Sequence, residues 1–123
     1  MSNTQAKTSL SVLVCEDDPL IRTEVTEILQ HLGHAVTVSA TATEAKEALA
    51  ERTFNVFLVD IELPDMSGFE LAKLARLADP AIGVVFATGH AKLPEAVEVN
   101  RSVVLTKPYG QADLVRAIEK AAT

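Results

Sequence analysis

Short uninterrupted apolar blocks alternate with amphipathic stretches along this chain, and that rhythm predicts its elements. Residues 10–15 and 56–59 are apolar without alternation, and each block runs into carboxylates: Glu16, Asp17 and Asp18 after the first, Asp60 after the second. Such strands are expected in a parallel sheet whose two faces are both covered by helices. Residues 35–38, 82–87 and 102–105, short and rich in valine or isoleucine, complete five predicted strands.

Helical patterns fill the intervals. Asp18 and Pro19 supply an N-cap and a first-turn proline, after which Ile21, Val25, Ile28, Leu29 and Leu32 recur at helical spacing until Gly33 stops them. Thr41-Ala42-Thr43-Glu44 has the spacing of a capping box and opens a second helix ending near Arg52, with Ala45, Ala48 and Leu49 on one side. Residues 67–78 predict a third, with Leu71, Leu74 and Ala75 inward, and residues 111–121 a last one, with Leu114, Ile118 and Ala121 inward. Between Gly89 and Arg101, Pro94 and a valine-rich stretch leave room for a fourth helix that is short or loose. Strand then helix, five times over, makes a three-layer α/β sandwich with right-handed crossovers. Residues 1–9 read as a flexible N-terminal tail and 10–122 as one domain.

Composition narrows the function. The 123 residues are 48% hydrophobic, and 17 acids against 11 bases leave a net charge of -6, which repels a phosphate backbone and argues against nucleic acid as a partner. A single cysteine, Cys15, excludes an internal disulfide and CxxC metal sites. No apolar run approaches the roughly 18 to 20 residues that cross a bilayer. A cytoplasmic protein without a membrane partner is the expectation, with Cys15 a small buried hydrophobe and His31 and His34 placed beside Gly33 to suit a helix C-terminus.

The chemistry gathers at the carboxyl ends of the strands, where open parallel sheets bind ligands. Glu16, Asp17 and Asp18 follow the first strand, Asp60 ends the third, Thr88 follows the fourth and Lys107-Pro108 the fifth. Carboxylates crowded at one edge repel one another unless a cation joins them. With oxygen donors and neither histidine nor cysteine beside them, magnesium or manganese suits the cluster better than zinc. The Lys107 ammonium makes the same place attractive to a small dianion such as a phosphoryl group, to which Thr88 can donate. No GxxxxGK[ST] or GxGxxG loop is present to hold a nucleotide, so the reactive group is a side chain. Asp60 is the candidate, a carboxylate nucleophile able to form an acyl phosphate. Taken singly, each of these residues also fits a blander role: turn cap, solvated acidic turn, surface lysine.

Together they resemble the receiver domain of bacterial two-component response regulators. The resemblance is carried by Val12-Leu13-Val14-Cys15-Glu16-Asp17-Asp18-Pro19, by Leu58-Val59-Asp60-Ile61-Glu62-Leu63-Pro64-Asp65-Met66-Ser67-Gly68, by Phe86-Ala87-Thr88-Gly89 and by Leu105-Thr106-Lys107-Pro108-Tyr109. It implies the flavodoxin-like (βα)5 fold with sheet order 2-1-3-4-5, and Asp60 as phosphoacceptor, charged by a phosphohistidine of a histidine kinase or phosphotransfer protein. It further implies that Asp17, Asp60 and the backbone carbonyl of Glu62 ligate Mg2+, that Glu16 acts through a water, that Lys107 and Thr88 engage the phosphoryl group, and that the Pro108 peptide is cis. Glu62 and His90 would line the approach of water and tune the lifetime of the acyl phosphate.

Two departures refine the resemblance. Glu16 stands where the family commonly has aspartate, and Val104 stands three residues before the lysine, where many receivers carry a switching aromatic. With Phe86-Ala87-Thr88-Gly89, this is similar to the receiver subgroup marked by a Phe-Ala-Thr-Gly motif and found with HWE-type kinases, in which Gly89 and the fourth-helix region would order on phosphorylation. Tyr109 would sit partly exposed on a face used by a downstream protein partner, and the domain would be a monomer or weak dimer. Two other readings remain open: a receiver cut from a larger hybrid kinase or regulator, and a small magnesium-dependent phosphohydrolase with an aspartyl nucleophile.

Overall fold

In a computed structural model of the chain, residues 9–89 and 102–123 are described. The five apolar blocks form β1 (Ser11–Cys15), β2 (Ala35–Ser39), β3 (Val56–Asp60), β4 (Gly83–Thr88) and β5 (Ser102–Thr106). All pair in parallel, in the order β2-β1-β3-β4-β5. Four helices accompany them: α1 (Pro19–His31), α2 (Ala42–Glu51), α3 (Gly68–Ala78) and α4 (Gln111–Ala122), the last being the helix expected after the fifth strand. The fourth helix expected from the sequence, and His90 with it, lies outside the described residues.

Each central strand alternates its side chains between two apolar layers, as a period of two requires. Val12 and Val14 join Val25 and Leu29 of α1 and Leu114, Ile118 and Ala121 of α4, whereas Leu13 and Cys15 face Ala42 and Ala45 of α2 and Leu71, Ala72 and Ala75 of α3. Every residue of β3 and β4 is buried, which is why their sequences show no polar alternation.

The helix boundaries follow local chemistry. The Asp18 carboxylate accepts from the N–H groups of Leu20 and Ile21, and Pro19 occupies the first position of α1. Gly33 at φ 93° ends α1, its N–H bonding to Gln30 O while that of His34 bonds to Leu29 O. Thr41 caps α2 by accepting from Glu44 N–H, but the Glu44 carboxylate reaches back to Ala40 N–H, one residue before the partner a capping box would use.

Two expectations need correction. Leu74 is 41% exposed; Gly68, Leu71, Ala72 and Ala75 form the buried stripe of α3 and leave Leu74 on its flank. Thr88 is the last residue of β4 rather than the residue beyond it, because parallel pairing continues through Thr88 with Thr106, whereas Asp60 ends β3 as expected. Ser9, the last residue of the predicted tail, donates its hydroxyl to Gly33 O at 2.6 Å.

Candidate functional site

Parallel pairing brings the carboxyl ends of β1, β3, β4 and β5 to one edge, and of the predicted residues Glu16, Asp17, Asp60 and Lys107 meet there. Glu16 and Asp60 are nearly fully buried, Asp17 is exposed, and one carboxylate oxygen from each of the three lies within 4.8 Å of the others. The Lys107 ammonium sits between two of them, 3.0 Å from Glu16 Oε1 and 3.1 Å from Asp60 Oδ2. The second oxygen of each accepts a backbone hydrogen bond: Glu16 Oε2 from Asp18 N–H at 3.1 Å and Asp60 Oδ1 from Glu62 N–H at 3.0 Å. Asp18 itself is committed to capping α1 and stands apart from the cluster.

The electrostatics of this arrangement are unbalanced. Burial pushes the Glu16 carboxyl up to about 7, and the neighbouring Asp60 charge adds to that against the opposing pull of Asp18 N–H and Lys107. Burial alone would lower the Lys107 pKa, but its hydrogen bonds to Glu16 and Asp60 outweigh burial and raise it, so the side chain is held as a cation. Among the described residues, three carboxylates against one ammonium leave room for further positive charge, and the donors are all hard oxygens. That donor set fits a divalent ion of the magnesium kind.

Backbone bonds hold the strand ends in register around the cluster. Ile61 N–H donates to Ala87 O at 3.1 Å and Lys107 N–H to Thr88 O at 2.7 Å. The Lys107–Pro108 peptide is cis, as the resemblance implied. Thr88 is buried at the end of β4, Val104 is exposed on β5, and among the described residues nothing lies within 4 Å of where a side chain of exposed Gly89 would begin. Tyr109 is half-buried, and burial pushes its phenol up to about 12. A groove of about 320 Å³ lined by Ile21, Glu24, Lys107, Pro108 and Tyr109 opens beside the lysine.

Two contributors escaped the sequence reading. Arg22 Nη1 donates to Glu16 O at 2.9 Å, buttressing the turn that carries Glu16 and Asp17; its place one turn into α1 was the available signal. Asp65 reaches from the β3–α3 loop to the start of α2, accepting from Ala42 N–H at 2.9 Å, Thr43 N–H at 3.1 Å and the Thr43 hydroxyl at 3.0 Å. Nothing in the sequence pairs these distant positions. Cys15 is buried as expected, and burial pushes its thiol up to about 11, far from a reactive thiolate.

Comparison with known proteins agrees with this geometry. The response regulator receiver domain family matches residues 12–119. The chain is 37% identical over 112 residues to the response regulator receiver protein CpdR of Brucella abortus, covering 89% of this chain and 93% of that protein. It is 30% identical over 115 residues to the transcriptional regulatory protein LytR of Staphylococcus aureus, covering 90% of this chain but only 46% of that protein, so it spans about half the length of that relative. Among solved structures, a CheY-like response regulator receiver domain protein from Methanospirillum hungatei superposes with a TM-score of 0.84 at 29% identity, covering 94% of each chain. A response regulator receiver protein from Sinorhizobium medicae superposes with a TM-score of 0.85 at 26% identity, covering 93% of this chain and 94% of that one. Among the described residues, no helix is long and apolar enough to cross a membrane.

Proposed function

Since the chain belongs to the response regulator receiver domain family, we propose that it works as a phosphorylation switch whose phosphoacceptor is Asp60. The observation that carries this reading is the placement of Lys107 Nζ 3.1 Å from Asp60 Oδ2 within a cluster of three carboxylates drawn from β1 and β3. In the reaction, an Asp60 carboxylate oxygen attacks phosphorus of a phosphohistidine on a histidine kinase or phosphotransfer protein. The P–N bond breaks, and the imidazole nitrogen leaves with the electron pair and takes up a proton.

The residues divide the remaining work. Lys107 exchanges part of its interaction with Asp60 for the incoming phosphoryl oxygens, and Thr88 donates its hydroxyl to another of them. Asp17, Asp60 and the Glu62 carbonyl would hold Mg2+, with Glu16 acting through a water. Such an ion would supply positive charge against the carboxylates and against the charge that develops on the phosphoryl group. Glu62 and His90 would tune hydrolysis of the acyl phosphate. Phe86-Ala87-Thr88-Gly89 and Val104 favour the Phe-Ala-Thr-Gly subgroup and an HWE-type kinase as donor. The output is a protein contact in the cytoplasm.

Replacing Asp60 by Asn preserves the carboxylate's shape without its nucleophilicity. Labelling by a small-molecule phosphodonor should fall to background while the circular dichroism spectrum is unchanged. Lys107→Ala should keep metal binding yet lose the structural response to the phosphoryl group. Undiminished labelling of the Asp60→Asn protein, or turnover of diverse phosphomonoesters by wild type, would overturn the switch reading in favour of another nucleophile or a hydrolase.

A further inference from the structure

The loop from Ile61 to Ser67 carries the Glu62 amide that binds Asp60 and the Glu62 carbonyl proposed as a metal ligand. Its base is closed by Gly68 N–H to Ile61 O at 2.8 Å and by the bridge between Glu62 and Ser67, and it is tied to β4 through Ile61 N–H. Ile61, Leu63 and Met66 pack against the apolar layer shared with α2 and α3. These contacts fix the loop's base and inner side. Its tip is held by Asp65, whose two carboxylate oxygens take the first two backbone N–H groups of α2 while Thr41 takes the third.

From this we infer that Asp65 is a positioning residue for the metal and phosphoryl site, acting by anchoring the Glu62-bearing loop to the N-terminus of α2. The inference rests on the switch reading above. Four free N–H groups begin every helix, and those of α2 attract a carboxylate both by hydrogen bonding and through the helix dipole. Those bonds lower the pKa of the Asp65 carboxyl from its ordinary value, Ala42 N–H being the strongest contributor. The tether therefore stays charged throughout the neutral range. A loop supporting a ligand from outside the coordination sphere affects affinity by about 10- to 100-fold in other metal sites.

Two measurements on the full chain test it: Mg2+ titration by calorimetry, and amide exchange at Glu62 and Gly68 in metal-free protein. Asp65→Ala should weaken Mg2+ binding by about 10-fold and speed both amides, and Asp65→Asn, which keeps one acceptor oxygen, should recover most of the loss. Thr41→Val removes a cap of the same helix without touching the loop and should leave both readouts as in wild type. Wild-type affinity and exchange in Asp65→Ala would overturn the tether, as would an equal loss in Thr41→Val, since the effect would then be α2 stability alone. Mg2+ binding indistinguishable between wild type and Asp60→Asn would instead count against the switch reading, and the exchange arm would still judge the tether.

Discussion

Gly68 is where the site loop returns to the strand it left. A Cβ at this position would lie 2.7 Å from Ile61 Cα and closer still to the Asp60 carbonyl, both backbone atoms that no rotamer change can move aside. Only a residue without a side chain lets α3 begin directly behind Asp60. Gly68→Ala should therefore cost about 3 kcal/mol, the upper range for overpacking a tight site, read as a lower urea midpoint at unchanged slope. An unaltered midpoint would show that the loop relaxes freely. At the same scale, Glu16 and Lys107 show how burial and pairing set opposite demands: each has a raised pKa, the carboxyl because it is removed from water and the ammonium because two carboxylates hold it.

Among the elements, the junction of α1 with β2 has a pH dependence of its own. His34 follows the helix-ending Gly33, and its Nδ1 accepts from Leu10 N–H at 3.1 Å, linking the start of the β1 segment to the start of β2. An acceptor nitrogen cannot carry a proton, and burial lowers the His34 pKa, with the Glu119 charge on α4 acting in the opposite direction. A histidine depressed in the folded state contributes stability that is complete above its unfolded value near 6.5 and is lost as pH falls through the lower folded value. Wild type should lose urea resistance on acidification below about pH 6.5, whereas His34→Asn, whose side-chain oxygen replaces Nδ1 as acceptor without titrating, should flatten that part of the profile. Parallel profiles for the two proteins would remove His34 from the account. Elements were also what the sequence made most legible. Short valine-rich apolar blocks marked the strands, and Asp18, Gly33 and Thr41 marked helix ends through side-chain and backbone preferences that act within a few residues. Leu74 was misplaced because apolar spacing alone does not tell which edge of a stripe the sheet will touch.

Across the whole molecule, a site assembled from β1, β3 and β5 exists only in the folded chain. A cation that binds it binds the folded state selectively and stabilises it by mass action, by about 2.7 kcal/mol at a concentration 100 times its dissociation constant. Millimolar Mg2+ should raise the thermal midpoint of wild type, and the gain should shrink in Asp60→Asn, which loses one of the three charges. An equal shift in both proteins would place the ion elsewhere on a surface of net charge -6.

The order of elements, the acids at the strand ends and the lysine before Pro108 were determined by the amino-acid sequence itself, because each depends on short-range periodicity or on residue types at fixed spacing. The tertiary structure alone decided that Lys107 lies between Glu16 and Asp60, that Arg22 buttresses the first turn, and that Asp65 ties the site loop to α2. Those partners stand up to 91 positions apart in Glu16 and Lys107. No local preference encodes such a pairing; it arises when burial of two apolar layers sets the strand order and brings their ends to a common edge.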